Sequence, residues 1–384
     1  MLARLEQIAG LVLIATALAD VFLNVLYARA GFSIYSRPLA HGVRGLFVLG
    51  GRGLGGRARA RAMSFCGPAI VVALLFGWVA ALVVGSALII HPALGVSVVA
   101  DGAGAGTDFI TALNVAGGTI SSVGPAPYAP VTPAFKAMFL FDSFLGITVM
   151  TLAITYLMQL YAALQARDEL ALKVELMSRQ TGDGARLVAG LGPEGRFDIG
   201  YALIAEMAGE LSRVKEAHHL YPVLFYFRFP QPYYELSRFT LVLLDAVALI
   251  RAGLEDREVG WLKRSAGLEH LERGGLVLID TLHRVYLRAE GAGPEMPSPE
   301  AAKAWRARFI RGMAVMRAAG QPVRRDVARC AERYIQLRNR WSEPLLRLSG
   351  DIGHAPRDLD PALYEPDPPL RGPSARPASD EVLH

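Results

Sequence analysis

Thr119, Ser121 and Ser122 set three hydroxyls within four residues, and Val123 and Gly124 follow at once, inside an otherwise apolar stretch. Hydroxyl and backbone carbonyl oxygens are the ligands that can take the place of water around a cation. Upstream, residues 107–118 form an apolar run of the kind that makes a short helix. Downstream the chain meets Pro125, Ala126 and Pro127 and stops at Pro130-Val131-Thr132-Pro133. Other chemistry is thinly represented. Gly190, Gly192 and Gly195 spell G-x-G-x-x-G, but no strand precedes them, no series of alternating strands and helices follows, and Pro193 suits a turn, which argues against dinucleotide binding. His218 and His219 are adjacent, while His270 and His283 stand apart without metal-ligand spacing, so polar or core roles are expected for all four. No phosphate-binding Walker loop or nucleophile elbow appears. Neither an enzyme nor a nucleic-acid-binding protein is expected.

The elements that would position the hydroxyl stretch are apolar. Hydrophobic residues make up 52% of the 384 and charged residues 20%; mean hydropathy is positive, and the long apolar runs all lie before residue 162. A membrane-crossing helix needs about 20 predominantly apolar residues. Ile8–Tyr27, Phe65–Ile90 and Phe135–Ala162 qualify, the third with Asp142 inside it. Between the first two lie Arg29, Arg37, Arg44, Arg52, Arg57, Arg59 and Arg61 without a single acid, whereas residues 91–134 hold Asp101 and Asp108 and no Lys or Arg. Positive loops stay in the cytoplasm. This puts the N-terminus outside, the arginine loop inside, the glycine-rich 91–106 segment outside, and residues 163–384 in the cytosol of a cell bounded by an inner membrane. The rival reading of the first run is a secretory signal peptide cleaved near Ala28-Arg29-Ala30. Twenty apolar residues is long for one, and cleavage would leave the arginine loop outside. Cys66 and Cys330 form no paired framework and fit a reducing compartment.

Residues 107–133 resemble the pore loop of the potassium-channel superfamily. Ala112, Leu113, Thr119, Ser121, Ser122, Val123, Gly124, Pro130 and Thr132 match the pattern A-L-x(5)-T-x-T-T-V-G-Y-G-D-x-x-P-x-T without insertion or deletion, with Ser for Thr at 121 and 122. The departure is at Pro125, Ala126 and Pro127, where the family has Tyr-Gly-Asp. The resemblance implies a re-entrant pore helix and filter loop between the second and third spans; with the apolar runs and the helical periodicities beyond them, the expected fold is an all-α membrane protein with three transmembrane helices and a mainly helical cytosolic domain. It implies a homotetramer passing K⁺. It also implies that the carbonyls of Ser122, Val123 and Gly124 and the Ser122 hydroxyl form the inner ion-coordinating layers, with Thr119, Ser121, Pro125 and Ala126 completing the filter stretch. Ala126 replaces a glycine and two prolines lack the N–H that would anchor the strand. Weak discrimination between K⁺ and Na⁺ is the consequence. Gly146, 22 residues after Gly124, stands where the family's inner helix has its hinge glycine, and close helix packing is the alternative reading. Asp142 would lie behind the filter beside a Ser121 or Thr119 hydroxyl, or at an interface. The resemblance spans about residues 65–165.

Four regions follow: 1–63, the first transmembrane helix and arginine-rich loop; 64–165, the pore module; 166–348, the helical cytosolic domain; and 349–384, a Pro-rich tail expected to be disordered. Arg52, Arg57, Arg59 and Arg61 close to the inner leaflet would set topology and could attract anionic lipid headgroups. The third helix is expected to run on to Arg179, before Gly182 and Gly184. Ile199, Leu203, Met207, Leu211 and Val214 recur at helical spacing. Phe239–Ile250 is too short to span and reads as a core helix holding Asp245. Ser298-Pro299-Glu300 starts a helix with Trp305, Phe309, Met313 and Met316 as its stripe. Another helix is expected over Pro322–Glu343, with Val323, Val327, Cys330, Tyr334, Leu337 and Trp341 on one face and Arg324, Arg325, Arg329, Arg333, Arg338 and Arg340 on solvated faces. The expected function is cation conduction, with an unspecified cytosolic ligand as a partner. The alternative is a non-conducting, membrane-anchored interaction or signalling protein.

Overall fold

The computed structural model describes residues 1–27, 35–53, 56–100, 106–125, 127–287, 296–352 and 356–364. It is mostly helical. Three of its helical stretches, Leu2–Leu26, Arg61–Ala93 and Pro133–Met177, are long and apolar enough to cross a membrane. The chain divides into two compact units.

The first unit comprises Met1–Glu169, Ser212–Gln231 and Arg284–Arg288. Helix α1 (Leu2–Val21) crosses α4 (Cys66–Ile90) where two glycines meet: a Cβ on Gly10 would lie 2.4 Å from the Gly85 carbonyl oxygen. Small residues let apolar helices approach this closely, and the gain is in packing. Near the C-terminal end of α1 sits Asp20, fully buried, which the apolar run conceals in the sequence. Its carboxylate accepts hydrogen bonds from the Tyr35 N–H (3.0 Å), the Ser36 hydroxyl (3.0 Å) and the Trp78 indole (2.8 Å). An acid in an apolar helix is tolerated when it is satisfied in this way.

The expected arginine loop is more structured than its Gly and Arg content suggested. It contains α2 (Ser36–Gly50) and α3 (Gly56–Ser64). Leu39, Ala40, Val43 and Phe47 of α2 pack on Ile70, Val71 and Leu74 of α4, and this apolar stripe overrides the low helix propensity of the glycines. Between α4 and the next long helix lie β1 (Val98–Ala100), α5 (Phe109–Ile120) and β2 (Tyr128–Pro130); β1 and β2 pair antiparallel, Val98 opposite Pro130. This small ribbon departs from the purely helical expectation. Of the glycine-rich 91–106 segment, residues 101–105 lie outside the described ones.

Helix α6 (Pro133–Met177) is a single unbroken helix. It ends where expected, as Arg179, Gln180 and Gly182 take positive φ of 58°, 61° and 63°.

The second unit comprises Leu170–Leu211, Pro232–His283 and the described residues beyond Ala289. Its helices are α7 (Gly184–Leu191), much of α8 (Asp198–Leu220), α9 (Leu236–Gly253), α10 (Asp256–Lys263), α11 (Ala266–Leu282), α12 (Pro299–Ala318), α13 (Val327–Asn339) and α14 (Ser342–Ile352). The core helix expected over Phe239–Ile250 is α9, buried on every face and packed by α7, α11, α12 and α13. The Ser298 hydroxyl accepts from the Ala301 N–H at the start of α12, and Trp305, Phe309, Met313 and Met316 are buried.

Four expectations are corrected here. Ile199 is 79% exposed, and the buried face of α8 is Ile204, Met207, Ala208, Leu211 and Val214; position 199 is too near the helix start to be covered. The helix expected from Pro322 begins at Val327, because Asp326 caps it by accepting from the Arg329 N–H. Arg338 is buried, not solvated. It joins Arg308, Asp183, Asp245, Tyr334 and Asp360 in one ionic cluster, with Arg338 Nη1 2.9 Å from Asp245 and Arg308 Nη2 2.7 Å from the same carboxylate. Asp360 belongs to the segment expected to be disordered, yet Pro356–Leu359 and Pro361–Tyr364 form helical turns with Leu359 buried. Residues 353–355 and 365–384 of that tail lie outside the described ones.

Candidate functional site

The hydroxyl stretch begins from a well-made helix start. Asp108 caps α5, its Oδ1 accepting from the Thr111 N–H at 2.8 Å and its Oδ2 from the Thr111 hydroxyl at 3.2 Å. These bonds hold the Asp108 carboxyl below the usual carboxylate range. Ala112, Val115 and Ala116 are buried against a cluster that includes Ala87, Ile90 and Phe139, and Ile120 is buried with Leu82 and Leu145.

Helix α5 ends in a tight reversal. Thr119 is buried and its hydroxyl donates to the Val115 carbonyl at 2.8 Å. The Ser122 N–H donates to the Thr119 carbonyl (3.1 Å) and the Gly124 N–H to the Gly118 carbonyl (2.9 Å). Ser122 takes φ +59° and Gly124 φ +108°. The second suits glycine, while the first is an uncommon conformation for serine and stores local strain. Ser121, Ser122 and Val123 are exposed, Val123 at 86%. Gly124 O lies close to Gly118, where a Cβ would meet it at 2.3 Å. That oxygen therefore faces the helix end, leaving the Ser122 and Val123 positions as the outward part of the turn. Pro125 O accepts from the Tyr128 N–H (2.8 Å), which leads into β2. Ala126 lies outside the described residues.

Helix α6 closes the other side. A Cβ on Gly146 would stand 1.9 Å from the Ile120 carbonyl oxygen, so glycine here permits direct backbone contact with the end of α5. Close packing is the role the geometry displays; α6 is helical through this point. Ser143 donates to the Thr119 carbonyl at 3.1 Å. Asp142 is 1% exposed with Oδ2 lacking a hydrogen-bond partner, and its polar neighbour is Ser86 of α4, whose own hydroxyl is also without one. The expected link from Asp142 to a Ser121 or Thr119 hydroxyl is not formed: those hydroxyls bond to the Gly118 and Val115 carbonyls. The next residue, Ser143, has the helical phase that reaches Thr119.

A cavity of about 370 Å³ opens beneath the turn, lined by Leu82, Ile120, Ser121, Ser122, Gly146 and Met150 among others. Its walls are mainly apolar, with three hydroxyl-bearing residues, Ser121, Ser122 and Thr151. Further along α6, Arg167 is buried and donates to the carbonyls of Leu224 (3.1 Å) and Phe227 (3.3 Å) while lying over the Phe229 ring. Tyr221 donates to Gln159 (2.9 Å), and a Cβ on Gly67 would press on the Phe227 ring at 2.8 Å. Residues 221–229 thus form a strap that holds the lower part of α6 to the start of α4. Nothing local in residues 221–229 marks Arg167 as their partner.

Of the basic residues, Arg52, Arg59 and Arg61 are exposed, with Arg59 alongside Gly51; the Arg57 side chain lies outside the described residues. The G-x-G-x-x-G letters fall on the end of α7 and a turn with Glu194 at φ +57°, not on a strand-to-helix junction. Comparison with known protein families, curated proteins and solved structures found no match to this chain.

Proposed function

We propose that this chain is the subunit of a potassium-channel-like cation channel of an inner membrane, assembling as a homotetramer around the turn at Ser121–Gly124 and conducting K⁺ with weak discrimination against Na⁺. The observation that carries it is the arrangement of α4, α5, the turn and α6. A capped short helix lies between two long apolar ones, its C-terminal end in backbone contact with Gly146, and a hydroxyl-bearing turn projects beyond it. The C-terminal end of a helix dipole favours a cation. Exposed Val123, and exposed Phe144, Ile147, Ile154 and Met158 on α6, are apolar surface that further copies of the chain or lipid would cover. In this reading the turn is re-entrant, the N-terminus lies outside and the second unit in the cytoplasm.

The competing reading is a membrane-anchored interaction protein on the same scaffold. It is favoured by Gly124 O lying against Gly118, together with Pro125 immediately beyond. Cation flux into liposomes containing the purified protein, under separate K⁺ and Na⁺ gradients, decides between them. Flux of both cations, abolished in Gly124→Asp protein that still assembles, is expected. No flux from wild type, nor from a variant with Pro125→Tyr and Ala126→Gly, overturns the channel reading.

A further inference from the structure

Helix α2 does not lie at the end of α4 but along it. Its first residues reach Trp78, through Asp20, which accepts from the Tyr35 N–H, the Ser36 hydroxyl and the Trp78 indole. One turn later, Leu39 packs at Leu74; further on, Arg44 lies between Val43 and Phe47, which pack on the same cluster, and Arg228 follows Phe227, whose ring lies against Gly67 near the start of α4. The helix thus descends beside α4, with its start deep and its basic residues at the α4 terminus.

Between α2 and α4 the descent leaves a groove of about 310 Å³, lined by Tyr35, Pro38, Leu39, Leu74, Gly77, Trp78 and Ala81. Its lining is apolar, and Gly77 leaves it open, since a Cβ there would touch only Leu39 at 3.8 Å. Cys66 and Trp78 are twelve residues apart on α4, a rise of ~18 Å at about 1.5 Å per residue. That is close to the ~15 Å depth of one leaflet's hydrocarbon. At the shallow end stand Arg44 and Arg228, then exposed Arg52, Arg59 and Arg61, beside exposed Leu46, Leu49 and Phe65. No acid occurs between residues 21 and 100.

We propose that this groove is a binding site for an anionic glycerophospholipid, one acyl chain lying between α2 and α4 at Leu39, Leu74 and Trp78 and the phosphate held at the level of Arg44 and Arg228. Both halves of the ligand are specified. The groove is apolar along Leu74–Ala81, the Asp20 carboxylate at its deep end is taken up by Tyr35, Ser36 and Trp78, and the charge at the shallow end, where a headgroup would sit, is positive. Exposed Leu46, Leu49 and Phe65 beside arginines are the pattern of chain emerging from the hydrocarbon at a membrane surface. The site does not depend on whether the protein conducts ions.

The test is photocrosslinking of the full chain in phosphatidylcholine liposomes with phosphatidylglycerol carrying a diazirine in one acyl chain, the labelled peptides being identified by mass spectrometry. Label on the peptides bearing Leu39 and Leu74–Ala81 is expected, displaced several-fold better by unlabelled phosphatidylglycerol than by phosphatidylcholine. Gly77→Leu and, independently, Ala81→Leu should fill the groove and remove that label. Arg44→Gln with Arg228→Gln should abolish the preference for phosphatidylglycerol and leave residual labelling. Equal displacement by the two lipids in wild type, or undiminished label in both filled variants, overturns the proposal.

Discussion

His218 shows how one buried residue sets a pH response. It is fully buried on α8, its Nδ1 donates to the Val214 carbonyl at 2.9 Å, and its Nε2 has no partner. Burial first, and then the positive Arg167, push it down from an ordinary 6.5 to about 3. The folded chain therefore keeps the imidazole neutral where the unfolded chain binds a proton. Above the ordinary value the group makes no pH-dependent difference. As pH falls towards about 3 it removes stability at up to about 1.4 kcal/mol per pH unit. Denaturant unfolding of the purified protein across this range should show the slope, and His218→Gln should flatten it. Identical slopes in the two proteins would show that the histidine is protonated in the fold.

At the scale of elements, the strap over residues 221–229 is held chiefly by one side chain. Arg167→Met removes two charge-assisted hydrogen bonds to buried carbonyls, worth about 1.5–3 kcal/mol each. Amide hydrogen exchange within residues 222–229 should quicken by at least tenfold, while α9 stays protected; unchanged exchange in the strap would mean that the Gly67–Phe227 contact and the aromatic stacking suffice. Elements announced themselves in the sequence where their signals are local. Ser298, Pro299 and Glu300 with the stripe at Trp305 and Phe309 were enough to place α12, and the length and apolarity of Phe239–Ile250 were enough to identify α9 as core. The packing of α2 was hidden, since glycines and arginines dominate its surroundings and only Leu39, Val43 and Phe47 reveal the face that meets α4. At the candidate site, the order of apolar helix, hydroxyl turn and apolar helix was readable. Which hydroxyl meets which acceptor was not, because it depends on the rotation of α6 that brings Ser143, and not Asp142, to Thr119.

For the whole molecule, distant segments close the second unit's ionic cluster. Arg338 sits among Asp245, Tyr334 and Asp360 with Trp305 and Trp341 against its guanidinium. Residues 93 positions apart meet there, which no local pattern in the sequence could announce. Ending the chain before Pro356 removes Asp360 and leaves a buried guanidinium short of a carboxylate, at a cost of about 3 kcal/mol. Such a truncation should lower the thermal midpoint by several degrees relative to a chain ending after Tyr364; equal midpoints would assign the cluster's stability to Asp245 and Asp183 alone. Asp20 carries a different consequence, one of timing. Its donors at residues 35, 36 and 78 emerge from the ribosome after it does, so a nascent chain that has completed only α1 presents an apolar segment with an unsatisfied acid near its end. The indole that completes the set arrives with α4, which makes joint entry of α1 and α4 into a bilayer more favourable than entry of α1 by itself.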